Sequence, residues 1–254
     1  MRTVDDASDR ELRRRARERF ELAERLEREY LRSLRQLTKQ IDSIVKGMAP
    51  GGVVKNSIEL QSVLRQYSQT IAPWARSVGE KMLLRIAKKD ESAWAKMGNE
   101  IGRNLRKELS DAPTGDFLQK FLHEQVRLIT SLPTDAADRV HRLTTEGLVS
   151  GRRASEIAKD ILETGKVTES RAKLIARTEI ARTSNGLTMA RATHIGVTHY
   201  VWRSSQDGTV RESHKKMNGS IIPFDHPPEV EPGERYHAGM IYNCRCFMHP
   251  ILLD

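Results

Sequence analysis

Residues 8–46, SDRELRRRARERFELAERLEREYLRSLRQLTKQIDSIVK, decide the fold class. Apolar side chains fall at Leu12, Ala16, Phe20, Ala23, Leu26, Tyr30, Leu34, Leu37, Ile41 and Ile44. Steps of three and four residues keep them on one stripe of an α-helix. The stripe is as narrow as a coiled-coil seam, so this helix is expected to need a partner helix or another subunit. Around it arginines alternate with Glu11, Glu18, Glu21, Glu24 and Glu27, the pattern of a solvated face laced with i,i+4 pairs. Residues 10–19 are locally basic, with six Arg against two Glu. Arg13, Arg14 and Arg15 are the candidate contacts to DNA phosphates.

Beyond the seam, Gly47-Met48-Ala49-Pro50-Gly51-Gly52 reads as a loop. Helical patterning resumes over 57–72, with Pro73 at a boundary, and again over 74–89 and 92–109. A helix over 117–130 is expected to close at Ser131-Leu132-Pro133, with Pro133 opening the next, which runs to Val149. Gly151 ends that one, a short helix spans 155–162, Gly165 makes a break, and a last helix covers 168–193. Composition then shifts: five of 9 prolines and six of 13 aromatics lie beyond residue 199. Thr198-His199-Tyr200-Val201-Trp202 reads as a strand ending near Asp207-Gly208. Ser220-Ile221-Ile222 and Cys246-Phe247-Met248 are shorter strand candidates, around a Pro/Glu/Gly-rich loop over 223–239. The expectation is a mainly α chain, a long N-terminal helix and helical bundle followed by a small C-terminal α+β module with a short-stranded sheet. Residues 1–112 form the helical arm, a partner-docking region. Residues 113–254 form the module, helical over 113–195 and strand-containing over 196–254.

The 254 residues carry 43 Lys and Arg against 34 Asp and Glu, a net +9 that favours polyanionic partners. No apolar stretch approaches the roughly 18 residues of a membrane span. The opening MRTVDDASDRELRRR lacks the apolar core of a secretory signal. Two cysteines, one residue apart, exclude a disulfide framework and fit a reducing compartment.

Those cysteines, in Asn243-Cys244-Arg245-Cys246, are the sharpest local feature. On a strand, i and i+2 point to one face, so both sulfurs offer half of a tetrahedral zinc site. His214, or one of His226, His237 and His249, or Asp207, are the candidates to complete it. The alternative is plain packing, since free cysteine behaves as a small hydrophobe. Asp207 and Arg211 read best as turn-capping and carbonyl-tying residues. Arg177-Thr178-Glu179 is either a surface pair or a buried Arg–Glu tie to the C-terminal strands. No G-x-S-x-G elbow, P-loop or H-E-x-x-H is present, so no catalytic residue is assigned.

The ordered set Arg177-Thr178-Glu179, Asn185, Trp202, Asp207, Arg211, His214, Gly219 and Asn243-Cys244-Arg245-Cys246 resembles the phage Mu F-like minor head protein family, also called the phage head morphogenesis family. The resemblance covers roughly residues 120 to 250. Many relatives carry additional cysteines at the Asp207 motif; this chain has none, which leaves a mixed His/Cys zinc site or no metal. The resemblance implies a structural minor capsid protein of a tailed-phage virion, at the portal vertex or head interior and in the host cytoplasm during assembly. It implies a role in head assembly and genome packaging or ejection, with portal protein, major capsid protein and nonspecific double-stranded DNA as partners. The alternatives are a nonspecific DNA-binding virion protein and, last, a metal-dependent hydrolase or toxin-like enzyme.

Overall fold

The computed structural model describes residues 6–50, 54–100 and 113–251. Helices α1 (Asp6–Gly47), α2 (Ser57–Thr70), α3 (Ala72–Glu100), α4 (Thr114–Val149), α5 (Ala154–Leu162) and α6 (Thr164–His194) precede the strands. Then follow β1 (His199–Arg203), α7 (Glu212–Met217), β2 (Ile221–Pro223), β3 (Glu229–Glu231), β4 (Glu234–Arg235) and β5 (Phe247–Pro250). The chain is mainly α with a small C-terminal antiparallel sheet, as the periodicity predicts. No helix among the described residues is long and apolar enough to cross a membrane.

The stripe of α1 is buried by this chain itself. Leu26, Tyr30, Leu34, Leu37, Ile41 and Val45 are all covered, and Tyr30 Oη donates to Gln125 Oε1 at 2.7 Å. Of the two expected partners, a helix or another subunit, that stretch finds the first within the chain, in α4. The intervening charges pair along the helix, as in Arg17–Glu21 and Lys46–Asp42.

Two expected breaks are absent. Stretches 74–89 and 92–109 join into α3 up to Glu100, because Ser92 Oγ donates back to Lys88 O and caps no new helix. The expected end at Leu109 lies outside the described residues. Pro133 sits inside α4 and does not divide it. Its ring is buried with Leu132 and Ala136, and Ser68 Oγ donates to Thr130 O in the turn ahead of it, at 2.6 Å. Tertiary packing of the ring here outweighs the backbone donor lost to Ile129 O. Gly151 does end α4, at φ +66°, with Arg152 N donating to Gly147 O. Gly165 falls in the first turn of α6, where a Cβ would collide with Asp42, so packing rather than a break requires glycine there.

The sheet order is β2-β1-β5, all antiparallel, with Tyr200 opposite Ile222 and Trp202 opposite Met248. The loop expected over 223–239 contains the β3–β4 hairpin, turned at Gly233 (φ +77°).

Contacts gather the chain into two compact units. One draws on 1–28, 83–119 and 177–254, with a core that includes Trp94, Tyr200, Trp202, Phe224 and Met248. The other draws on 29–82 and 120–176, with Leu34, Leu60, Leu64, Ile129 and Ile161 buried in it. These units are drawn differently from the 112/113 division read from the sequence, because the long helices each supply segments to both.

In the second unit a Cβ on Gly147 would overlap the Ile157 side chain. Gly147→Ala should lower stability by about 1–3 kcal/mol, read as an earlier thermal or urea transition by circular dichroism. An unchanged transition would show that α5 is free to move off α4.

Candidate metal centre

The outer edge of β5 is where the motif residues converge. Asn185, buried on α6, donates from Nδ2 to Cys246 O at 3.1 Å and accepts at Oδ1 from Met248 N at 2.8 Å. Arg19 Nη1 donates to Met248 O at 2.9 Å, so both backbone groups of Met248 are taken by side chains. The Arg19 guanidinium lies over the Phe247 ring, 5.2 Å from its centroid, and also donates to Thr188 Oγ1. Thr188 in turn donates to Asp90, which pairs with Arg191 at 2.9 Å. Burial raises the Asp90 carboxyl above its ordinary range, opposed by Arg191 and Arg19.

Two turns earlier on α6, Thr178 Oγ1 accepts from Asn243 N and Arg177 Nη1 donates to Asn243 Oδ1, both at 3.0 Å. Asn243 stands at φ +57°, a conformation that asparagine tolerates better than most residues. The helix-to-strand tie is therefore Arg–Asn. Glu179, also buried, receives Arg182 from its own helix. Gly239 (φ +76°) passes so close that a Cβ would strike Asn185 Nδ2 and Cys246 O.

Short bonds fix the approach to α7. Asp207 Oδ1 accepts from Thr209 N and Thr209 Oγ1, and Oδ2 pairs with Arg245 at 2.6 Å. Burial pushes the Asp207 carboxyl up, but these partners outweigh it and hold the pKa below the ordinary value. Arg211 Nη2 donates to Tyr242 O, and Gly219 (φ +87°) donates its N–H to Trp202 O.

This scaffold brings His214, Cys244 and Cys246 together, all buried, with their donor atoms within 4.8 Å of one another. His214 Nδ1 lies 3.4 Å from each sulfur. Its Nε2 faces Tyr236 Oη at 3.2 Å, and Trp202 packs edge-on against the ring at 5.6 Å. The Cys246 hydrogen bond lowers the Cys244 thiol to about 4, against burial and with help from His214. The same bond, together with burial, pushes Cys246 up. Such a set can bind a soft divalent ion, whereas thiols 3% exposed are not presented to a substrate.

Of the candidate ligands read from the sequence, Asp207 is not part of this group, its carboxylate being committed to Arg245 and Thr209. His226 meets Arg235, His237 Nδ1 meets Tyr200 Oη, and His249 lies opposite Val201 in the sheet. The side chains of Arg13 and Arg15 lie outside the described residues, and Arg14 is exposed. Sequence reasoning missed Arg19, which no local signal separates from its arginine neighbours, and Gly239, whose role depends on Asn185.

Asn185→Ala removes both strand-edge bonds from a buried site and should cost about 2–4 kcal/mol in chemical denaturation. Arg177→Ala, at a half-buried position, should cost about 1 kcal/mol or less. Equal costs would mean that the Asn185 bonds are not what secures the strand.

Residues 138–249 match the family model described as Phage Mu protein F like protein, the family that the motif residues resemble. An uncharacterised protein of Haemophilus influenzae is 32% identical over 155 residues, 61% of this chain and 34% of the relative. One from Methanocaldococcus jannaschii is 33% identical over 109 residues, 42% of this chain and 16% of the relative. Minor head protein GP7 of Bacillus phage SPP1 is 26% identical over 161 residues, 57% of this chain and 51% of that protein. The chain thus spans about half the length, or less, of these relatives. No solved structure matches it significantly.

Proposed function

We propose, for a chain whose residues 138–249 match the Mu F-like family, that it is a structural minor head protein of a tailed phage. The likeness to Minor head protein GP7 carries this reading. The geometry supports it: several motif residues hold backbone, as Thr178, Asn185 and Arg211 do, the work of a scaffold piece rather than of a reaction centre. Within that reading the protein acts in head assembly at the portal vertex or head interior, with portal protein as its first partner and the major capsid protein as its second. It has no turnover of its own.

Purified particles should contain the chain at a low, fixed copy number, and tagged protein should retain portal protein in a pull-down. A chain absent from particles, with no affinity for portal or capsid protein, overturns the reading.

A second property is compatible with the first. The net +9 and the basic run of Arg10, Arg13, Arg14 and Arg15 favour nonspecific contact with packaged DNA. Retention on double-stranded DNA should fall by about ten-fold or more between 50 and 200 mM salt, and weaken further in Arg13→Ala/Arg14→Ala/Arg15→Ala. Salt-independent or absent binding removes the DNA contact and leaves the head-protein reading standing.

A further inference from the structure

We propose that His214 Nδ1, Cys244 Sγ and Cys246 Sγ hold one zinc ion, with water in the fourth position, and that the ion fastens α7 to the turn leading into β5. The sequence offered several completions of a site around the cysteines, and the fold selects one. In a tetrahedral site with bonds of about 2.3 Å to sulfur and about 2.0 Å to nitrogen, sulfur and nitrogen stand about 3.5 Å apart. His214 Nδ1 is 3.4 Å from both sulfurs, so the donors are already placed near the corners of such a site.

The surroundings of the three side chains suit a metal as well. When Nε2–H donates to Tyr236 Oη, the lone pair of Nδ1 is left facing the sulfurs. That is the outer hydrogen bond which fixes tautomer and ring orientation in metal-bound histidines. Cys246 N–H points at Cys244 Sγ from 3.4 Å, an extra donor for a sulfur carrying negative charge. Without an ion, two buried sulfurs share one ring nitrogen. With one, the sulfurs give up their protons to solvent, and two thiolates plus a neutral imidazole balance the 2+ charge. A buried cluster of zero net charge avoids the penalty of an isolated buried ion.

The ion would add a link between two segments already tied by Arg211 to Tyr242 O and by Arg245 to Asp207. His214 is the buried residue of the six-residue α7, while Cys244 and Cys246 follow the turn at Asn243. Three protein donors and a water is the ligand count of an open site, but here all three ligands are buried and stand on two segments of the fold, which gives the ion a structural role.

Cobalt(II) titration of the purified full-length chain, stripped with chelator under reducing conditions, tests this. One equivalent should produce thiolate-to-cobalt charge transfer in the near ultraviolet and tetrahedral visible bands, and one equivalent of zinc should abolish both. The Cys244→Ser/Cys246→Ser variant should give neither. Bands that persist in the folded variant, or a folded parent chain with no spectral response, overturn the proposal. Should the variant fail to fold, alkylation of the parent thiols decides. One equivalent of zinc should slow iodoacetamide labelling by about ten-fold or more, and equal rates with and without zinc overturn the site.

Discussion

A β-strand at the edge of a sheet leaves a row of backbone donors and acceptors without partners, and β5 is such a strand. Here the ladder is continued by side chains. The carboxamide of Asn185 imitates a neighbouring peptide group, giving to one carbonyl and taking from the next N–H but one, while Arg19 covers the remaining carbonyl. The register of β5 against β1 then follows, since both faces of Met248 are committed: Trp202 across the sheet and α6 behind it. From this constraint come the close passage of Gly239, the left-handed turn at Asn243 and the meeting of the two sulfurs with His214.

Beneath that edge a polar chain runs from Arg19 through Thr188 to Asp90 and Arg191. Buried charges of this kind contribute little net stability compared with apolar packing, but they are costly to separate once in place. Their effect is directional: they favour one alignment of α1, α3 and α6 within their unit over alternatives with the same apolar contacts. The stacking of Phe20 on Phe247, with ring centroids 4.9 Å apart, supplies the apolar complement.

Features written in local chemistry were legible in the sequence. The stripe from Leu26 to Ile41, the glycine stop at Gly151 and the alternation around Tyr200 and Trp202 each report a period or a backbone requirement. The i,i+2 cysteines stood out too, but neither lies in a strand: both fall between the turn at Asn243 and β5, and their convergence on His214 comes from that turn rather than from the expected strand. Features decided by distant neighbours were not legible. Pro133 continues a helix because its ring is buried with Leu132 and Ala136, and Ser92 joins two stretches by bonding backward. Strands of two and three residues, like β4 and β3, are too short for alternation to register. Among four histidines and Asp207, spacing alone could not choose His214, because the choice is made by a six-residue helix whose placement depends on Arg211 and Gly219.

The family signature and the folding unit are different objects. The matched segment begins at residue 138, long after Arg19, Phe20 and Asp90, which all belong to the compact unit that contains the sheet. A fragment cut to the signature would expose the Phe247 ring and leave the Met248 carbonyl to water or to another chain. Its rim would then be a template for strand-by-strand self-association, held off in the intact chain by an arginine 229 positions upstream.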